Sequence, residues 1–234
     1  MKKIVYFGLI FFFTITPYAQ EIRTENNGNL VLEDVPTIPQ SIKDDLKRYQ
    51  NVRSASFRGF HNENEGLYIS TRFGNVSQLH YVQSPGAARN QVTYFQEPIG
   101  SVATHPTDQS IIFTMDKGGT ENAQIYLLDT SNASAQLLSD GKSRNGGPLW
   151  STDGEKIAFQ STKRNGRSND IWIMNVTNTE EAQMVLESPD GTWWGASDWT
   201  EDDKTILVQN YISITNSKIY LVKAIPPKML VSLS

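Results

Sequence analysis

One acidic side chain could take part in chemistry because of the loop that carries it. Glu121 follows two glycines, Gly118 and Gly119, in a polar segment between two apolar runs. A carboxylate on such a loop can form a charge-assisted ion pair with a free amino group, such as the N-terminus of a peptide. We therefore predict Glu121 as a substrate contact, and a solvated hairpin tip is the alternative that stays open.

The sequence offers no recognisable nucleophile, general base or metal motif. The histidines His61, His80 and His105 are isolated, since none lies four residues from another ligand or in a His-Glu-x-x-His context. Cysteine is absent, which excludes thiolate catalysis, cysteine metal sites and disulfide bonds. We predict no catalytic residue, no metal ligand and no cofactor, and a structural role for His105 at a turn.

The other charged groups fit structural roles. Asp153, Asp202 and Asp203 lie in polar turns, where an aspartate accepts hydrogen bonds from the backbone that follows it. Four basic residues concentrate in one segment: Arg144, Lys163, Arg164 and Arg167. This cluster indicates either a solvated face, whose positive charge is offset by Asp140, Asp153 and Asp170, or a contact with a further domain.

The composition is that of a folded, acidic protein. Of 234 residues, 38% are hydrophobic and 20% are charged, and the formal net charge is −4. The basic residues form no continuous stripe, so we predict no nucleic-acid partner.

The N-terminus has the pattern of a secretory signal peptide. Two lysines precede the apolar run Ile4–Ile15, and the small residue Ala19 follows it. The run is shorter than the roughly 20 residues that span a bilayer. We predict a signal peptide over residues 1–19, a secreted or periplasmic location, and no membrane attachment after cleavage.

One strand and one helix are predicted between the signal and the rest of the chain, over residues 20–50. Gln20–Asn29 is polar and predicts no regular structure, whereas Asn29–Glu33 predicts a short strand. A helix is predicted over Ile38–Tyr49, with Pro39 at its start. Its apolar stripe consists of Ile42, Leu46 and Tyr49.

The remaining chain repeats one pattern. In residues 146–176, short apolar or alternating runs are separated by turns rich in Asp, Gly and Asn, which predicts strands joined by tight turns. Similar units lie on both sides. The anchors of the four units, 48, 45 and 49 residues apart, are Phe57, His105, Trp150 and Trp199. A repeat of about 40–50 residues with several short strands is typical of a β-propeller blade.

We therefore predict an all-β fold, a β-propeller of about four four-stranded antiparallel blades that form a partial or small ring. The predicted blades cover residues 51–99, 100–145, 146–194 and 195–234. The fourth strand of the first blade is predicted at Gln91–Phe95. The rings of Trp193, Trp194 and Trp199 are predicted to fill interfaces between blades.

The third repeat resembles that of TolB-like propellers. Trp150–Ser161 is similar to their pattern Trp-Ser-Pro-Asp-Gly-x-x-Ile-Ala-Phe-x-Ser, with Thr152 in place of the proline. A second resemblance covers most of the chain after the signal. Tyr94–Pro98, Asp116–Asn122 and Ser161–Arg167 look like the N-terminal propeller of secreted bacterial serine peptidases of the prolyl oligopeptidase family.

In that family the propeller caps an α/β-hydrolase domain and restricts access to short peptides. The resemblance implies a partner, either a hydrolase domain of the same parent protein or a protein or peptide. The family's Gly-x-Ser-x-Gly motif is absent, since Gly195–Trp199 lacks the final glycine, so we expect no activity from this chain alone. The alternatives are a stand-alone TolB-like periplasmic binding module and, less favoured without a ligand cluster, a propeller enzyme with a channel metal.

Overall fold

The computed structural model describes residues 22–62, 64–189, 191–224 and 230–232. The predicted signal peptide, residues 1–19, lies outside the described residues. An N-terminal hairpin of β1 (Ile22–Glu25) and β2 (Leu30–Glu33) precedes one α-helix, α1 (Gln40–Gln50). Within the described ranges, no helix is long and apolar enough to cross a membrane.

Four sheets follow, and each consists of four consecutive antiparallel strands. Blade 1 contains β3 (Ala55–Phe60), β4 (Leu67–Thr71), β5 (Gln78–Val82) and β6 (Arg89–Gln91). Blade 2 contains β7 (Val102–Thr104), β8 (Ile111–Met115), β9 (Gln124–Asp129) and β10 (Ser134–Leu137). Blade 3 contains β11 (Asn145–Trp150), β12 (Lys156–Ser161), β13 (Asp170–Asn175) and β14 (Asn178–Leu186). Blade 4 contains β15 (Trp193–Trp199), β16 (Thr205–Ser213), β17 (Asn216–Lys223) and β18 (Leu230–Ser232).

The blades pack face to face in chain order, which confirms the predicted all-β propeller. The first strands of successive blades lie side by side, β3 by β7, β7 by β11 and β11 by β15. Among the described residues, β15 makes no comparable contact with β3. The described blades therefore form an open arc rather than a closed ring.

Blade 3 illustrates why the central strands are apolar on both faces. Ile157 and Phe159 pack against Ile112 of blade 2. On the opposite face, Ala158 packs in a cluster with Val208 of blade 4. Burying a large apolar side chain contributes about 1.5–3 kcal/mol, so these clusters between sheets stabilise the order of the blades.

Strand pairing corrects two of the four repeat anchors. Trp150 pairs with Ile157, the second residue of β12, and Trp199 pairs with Ile206, the second residue of β16. The four equivalent residues are Phe60, Thr104, Trp150 and Trp199. The predicted anchor Phe57 lies three residues before this position, and His105 lies one residue after it. Both predictions were wrong because aromatic character alone does not mark the position: blade 1 has two phenylalanines three residues apart, and blade 2 has a threonine there.

The N-terminal segment is more ordered than its polarity indicates. Ile22–Glu25 lies in the segment predicted to have no regular structure, and it pairs with Leu30–Glu33 as an antiparallel hairpin. The chain can reverse there because Asn26 and Asn27 adopt left-handed backbone angles, with φ of 51° and 54°. Asparagine tolerates this region better than most residues do.

The predicted helix is present, but its apolar stripe is not covered. α1 begins after Pro39, which takes the N-cap position, and extends one residue beyond the predicted end. Ile42, Leu46 and Tyr49 are all exposed to solvent, and no residue of α1 is buried. The stripe is therefore an unpartnered apolar surface among the described residues.

The fourth strand of blade 1 lies earlier than predicted, at Arg89–Gln91 instead of Gln91–Phe95. The side chain of Gln78 explains the difference. Its Oε1 accepts hydrogen bonds from the hydroxyl of Thr93 at 2.8 Å and from the N–H of Phe95 at 3.0 Å. This side chain satisfies backbone groups that a longer strand would have paired.

Two of the three predicted interface tryptophans are buried between blades, and one is not. Trp194 and Trp199 lie in the cluster between blades 3 and 4. Trp193 is 41% exposed because it belongs to the opposite face of blade 4. Its ring lies over Gly195, where a Cβ atom would come within 2.3 Å of the indole, so a larger residue there would displace the ring.

Candidate functional site

Strand direction sorts the connections into two ends of the arc. The tight turns between first and second strands lie at one end, which we call the turn end. The loops between second and third strands lie at the other end with the segments that join successive blades, and we call it the loop end. The loop end includes residues 116–123 of blade 2 and 162–169 of blade 3.

The loop that carries Glu121 is held from three directions. Glu97, in the segment between blades 1 and 2, accepts a hydrogen bond from the N–H of Gly118 at 2.8 Å. Asn29 of the N-terminal hairpin donates its side-chain N–H to the carbonyl of Gly118. Asp116 accepts a bond from the N–H of Glu121 at 2.9 Å. The loop is therefore a fixed support rather than a free tip.

Glu121 itself is exposed at the loop end. Its backbone adopts a left-handed conformation, with φ of 60°, which costs a non-glycine residue about 1–3 kcal/mol and needs support from its surroundings. Its carboxylate has no hydrogen-bond or ion-pair partner among the described residues. The group is thus available to a ligand, and its role as a substrate contact stays a prediction.

Three of the four clustered basic residues make structural contacts through their side chains, namely Arg144, Lys163 and Arg164. Arg164 pairs with the fully buried Asp170 at 2.7 Å and with Glu187 at 3.1 Å, and the hydrogen bonds that it donates to Asp170 raise the pKa of the guanidinium. Lys163 lies over the ring of Trp172, 5.2 Å from its centroid. Arg144 donates to the side chain of Asn169 at 3.3 Å. Of the acids predicted to offset them, Asp153 lies at the turn end.

His105 has the structural role predicted for it. Its Nδ1 accepts hydrogen bonds from the N–H groups of Thr107 at 3.2 Å and Asp108 at 2.9 Å. Nε2 therefore carries the proton, and it donates to the carbonyl of Gly154 in blade 3 at 3.0 Å. A Cβ atom at Gly154 would lie 2.0 Å from the imidazole, so only glycine fits this turn.

The turn acids also act structurally. The hydroxyl of Ser151 donates to Asp153 and that of Thr200 donates to Asp202, both at 2.7 Å, and each bond lowers the pKa of the carboxyl. Asp203 accepts the N–H of Asp153 at 2.9 Å and so joins blade 4 to blade 3. These contacts confirm the interpretation of the three aspartates as turn residues.

The remaining histidines lie apart from each other. His61 contacts the rings of Tyr68 and Tyr81 in blade 1. His80 is buried, and this burial lowers its pKa, so the ring is neutral at pH 7. Its Nδ1 donates to the carbonyl of Gln78 at 3.1 Å, whereas Nε2 has no partner among the described residues. Sequence reasoning missed this acceptor, and no local pattern marks it.

The described residues contain no group of three or more His, Cys, Asp or Glu side chains placed to hold a metal ion. The arrangement at the loop end can bind through one carboxylate and through exposed loop backbone. It assembles no nucleophile with a base and an orienting acid, which acyl transfer would need.

Comparison with known proteins identifies the family to which the repeated sheets belong. Residues 93–233 match the family model described as prolyl oligopeptidase, N-terminal beta-propeller domain. No curated protein sequence matches the chain.

Solved structures of other propellers are similar in fold. A prolyl endopeptidase superimposes with a TM-score of 0.59 at 12% identity, over 95% of this chain and 40% of the other. A TolB protein from Agrobacterium tumefaciens superimposes with a TM-score of 0.56 at 16% identity, over 89% of this chain and 78% of the other. An oligogalacturonate lyase in complex with manganese superimposes with a TM-score of 0.57 at 10% identity, over 73% of this chain and 50% of the other. The chain thus spans about two fifths of the prolyl endopeptidase.

Proposed function

Because this chain belongs to the prolyl oligopeptidase N-terminal β-propeller family, we propose that it is the non-catalytic, substrate-gating propeller of a secreted serine peptidase that acts on short peptides. The observation that carries the proposal is the family match over residues 93–233, which covers blades 2 to 4. A propeller of this type limits access by size, so that extended short peptides pass and folded proteins do not.

The chemistry in this proposal comes from a hydrolase domain of the same parent protein. The 234 residues contain no Gly-x-Ser-x-Gly turn, which in such domains holds the nucleophilic serine above the sheet. The propeller contributes binding and orientation only. Glu121, on its supported loop, is the residue proposed to pair with the free amino group of the peptide.

The stripe of α1 is the proposed docking surface for that domain. Ile42, Leu46 and Tyr49 are exposed on one side of the helix, and lysines, an arginine and aspartates occupy the other. A two-turn apolar stripe on an otherwise polar helix is typical of a helix that packs against another element.

The proposal is tested in cells of the source organism. An antibody against this chain is used for precipitation, and the precipitate is treated with a fluorophosphonate that labels active serine hydrolases. We expect a labelled polypeptide that contains the propeller sequence or remains bound to it. A precipitate with the propeller sequence and no labelled serine hydrolase would contradict the proposal.

The role of Glu121 gives a separate prediction. A dipeptide with a free N-terminus should cause chemical-shift changes in residues 116–122 of the purified chain, because the carboxylate pairs with the ammonium group. N-acetylation of the dipeptide, or the variant Glu121→Gln, should weaken the binding by about tenfold, the effect of losing one charge-assisted hydrogen bond. Asp129→Asn, an exposed acid in another turn, is the control and should leave binding unchanged. Equal binding of the free and acetylated peptides would exclude the ion pair.

A second candidate is a stand-alone propeller that binds a periplasmic protein. The observation that favours it is the coverage of the TolB structure, of which this chain spans 78%. In this case the precipitate contains a stable partner protein and no fluorophosphonate label.

A further inference from the structure

Arg167 is an exposed cation that the fold of blade 3 does not use. It lies in the loop between β12 and β13, residues 162–169, at the loop end. Its guanidinium makes no hydrogen bond, ion pair or ring contact with the described residues. In the same loop, Arg164 is paired with Asp170 and Glu187. Arg167 is therefore available to a ligand in a way that Arg164 is not.

The backbone that carries Arg167 is fixed by hydrogen bonds within its own loop. The side-chain oxygen of Asn165 accepts bonds from the N–H groups of Arg167 at 3.0 Å and of Ser168 at 2.9 Å. The N–H of Gly166 donates to the carbonyl of Thr162 at 2.7 Å. The loop is thus a supported structure like the one that carries Glu121.

A second guanidinium lies beside this loop. Arg144 belongs to the segment that joins blade 2 to blade 3, and its carbonyl accepts a bond from the N–H of Thr162 at 3.0 Å. Its guanidinium donates to the side chain of Asn169 at 3.3 Å, two residues beyond Arg167. An arginine has five N–H donors, so this single bond leaves others for a ligand. Arg144 and Arg167 therefore lie against the same loop, and neither has an acid as a partner among the described residues.

The two sides of the loop end differ in charge. On the blade 2 side, residues 116–122 contain two acids and one base, and Glu121 is the exposed, unpartnered acid. On the blade 3 side, the bases other than the paired Arg164 outnumber the one nearby acid, Asp140, and they are Lys142, Arg144, Lys163 and Arg167. Complementary charge selects a ligand that is positive at one end and negative at the other.

The packing of the blades sets the length of such a ligand. Stacked sheets lie about 10 Å apart, and the two loops occupy equivalent positions in successive sheets, each between a second and a third strand. An extended peptide spans at most about 3.3–3.6 Å per residue, so about two to four residues cover this distance. A peptide of that length with free ends has an ammonium group at one end and a carboxylate at the other.

We propose that Arg167 and Arg144 bind the terminal carboxylate of a short peptide whose amino group pairs with Glu121. A guanidinium is suited to this role because its planar fork donates two parallel N–H bonds to a carboxylate. The substrate class is then peptides of about two to four residues with both ends free. This proposal rests on the proposed function, to which it adds a second contact for the same peptide. Both loops belong to blades 2 and 3, which have neighbouring blades on each side, so the number of blades that follow does not affect it.

The test is a chemical-shift titration of the purified chain with trialanine. We expect shifts at residues 165–169 as well as at residues 116–122. Amidation of the C-terminus removes the negative charge, so it should weaken binding by about three- to tenfold and abolish the shifts at 165–169 only. The effect of amidation should be smaller for hexaalanine, which extends to about 20 Å and exceeds the distance between the loops.

Two variants identify the residues that make the contact. Arg167→Gln should weaken the binding of trialanine by about three- to tenfold and leave the binding of trialanine amide unchanged. Arg144→Gln should act in the same direction. Lys204→Gln is the control, because Lys204 is an exposed cation at the turn end and its removal should not change binding. A loss in the control as large as in Arg167→Gln would show a general charge effect and overturn the proposal.

Three further results would also overturn it. The first is equal binding of trialanine and its amide, and the second is a loss in Arg167→Gln that is the same for both peptides. The third is the absence of shifts at 165–169 with every peptide, which would favour contact with a further domain instead. The proposed function is tested by fluorophosphonate labelling and the role of Glu121 by N-acetylation, so a failure at Arg167 is distinguishable from a failure of either.

Discussion

Alanine at Asp170 is expected to lower the free energy of unfolding by about 3 kcal/mol. This carboxylate is fully buried and accepts bonds from Arg164 at 2.7 and 2.9 Å and from the N–H of Ser188 at 2.8 Å. Removing it leaves the buried N–H of Ser188 without an acceptor and takes the inner partner from the half-buried Arg164. We place the loss at the lower end of the range for buried pairs because Arg164 keeps Glu187 and some access to water.

Urea unfolding followed by tryptophan fluorescence measures this loss. Asp44→Ala is the matched control, because Asp44 pairs with Lys47 on an exposed helix surface, where solvent screens an ion pair and its contribution to stability is small. If the two variants unfold at the same urea concentration, the contacts of Asp170 with Arg164 and Ser188 do not stabilise the fold, and the prediction is wrong.

Alanine at Trp199 should destabilise the protein by about 3–5 kcal/mol, the usual cost of removing a large buried ring. Trp199 packs in the cluster between blades 3 and 4, and its indole N–H donates to the carbonyl of Leu149 at 3.3 Å. Trp150 makes the same bond one blade earlier, to Ala103 at 3.2 Å. The indole therefore links each of these blades to the preceding one both by packing and by a hydrogen bond.

Two further variants separate these contributions. Trp199→Phe keeps most of the ring and removes the donor, so its expected loss is about 1 kcal/mol. Tyr49→Ala removes an exposed ring from α1 and should change stability by no more than about 0.5 kcal/mol. Unfolding measured by denaturant and by heat should rank the three variants identically. A phenylalanine variant as unstable as the alanine variant would assign the whole effect to the hydrogen bond.

Buried polar residues at one repeated position escaped the sequence prediction. Gln78, Gln124 and Asp170 are each the first residue of the third strand of their blade. Each binds the segment that leads to the next blade, as Gln124 does through Ser143 at 2.7 Å. In the sequence they look like ordinary polar residues at the edge of an apolar run, because their partners in that segment lie 15 or more residues away.

For the candidate site, the sequence predicted the loop but not the residues that hold it in place. The two glycines before Glu121 indicate a loop, and the structure confirms that loop. The residues that hold it are distant in the chain, since Glu97 and Asn29 lie 21 and 89 positions from Gly118. No local pattern could identify them.

The four-stranded repeats could be predicted from the sequence because alternation, apolar runs and turn residues act between neighbours in the chain. Tertiary structure alone decided the register of the anchors, the exposure of Trp193 and of the α1 stripe, and the unpaired nitrogen of His80. Each of these depends on which sheet face meets another, and a residue's neighbours in the chain carry no information about the blade beside it.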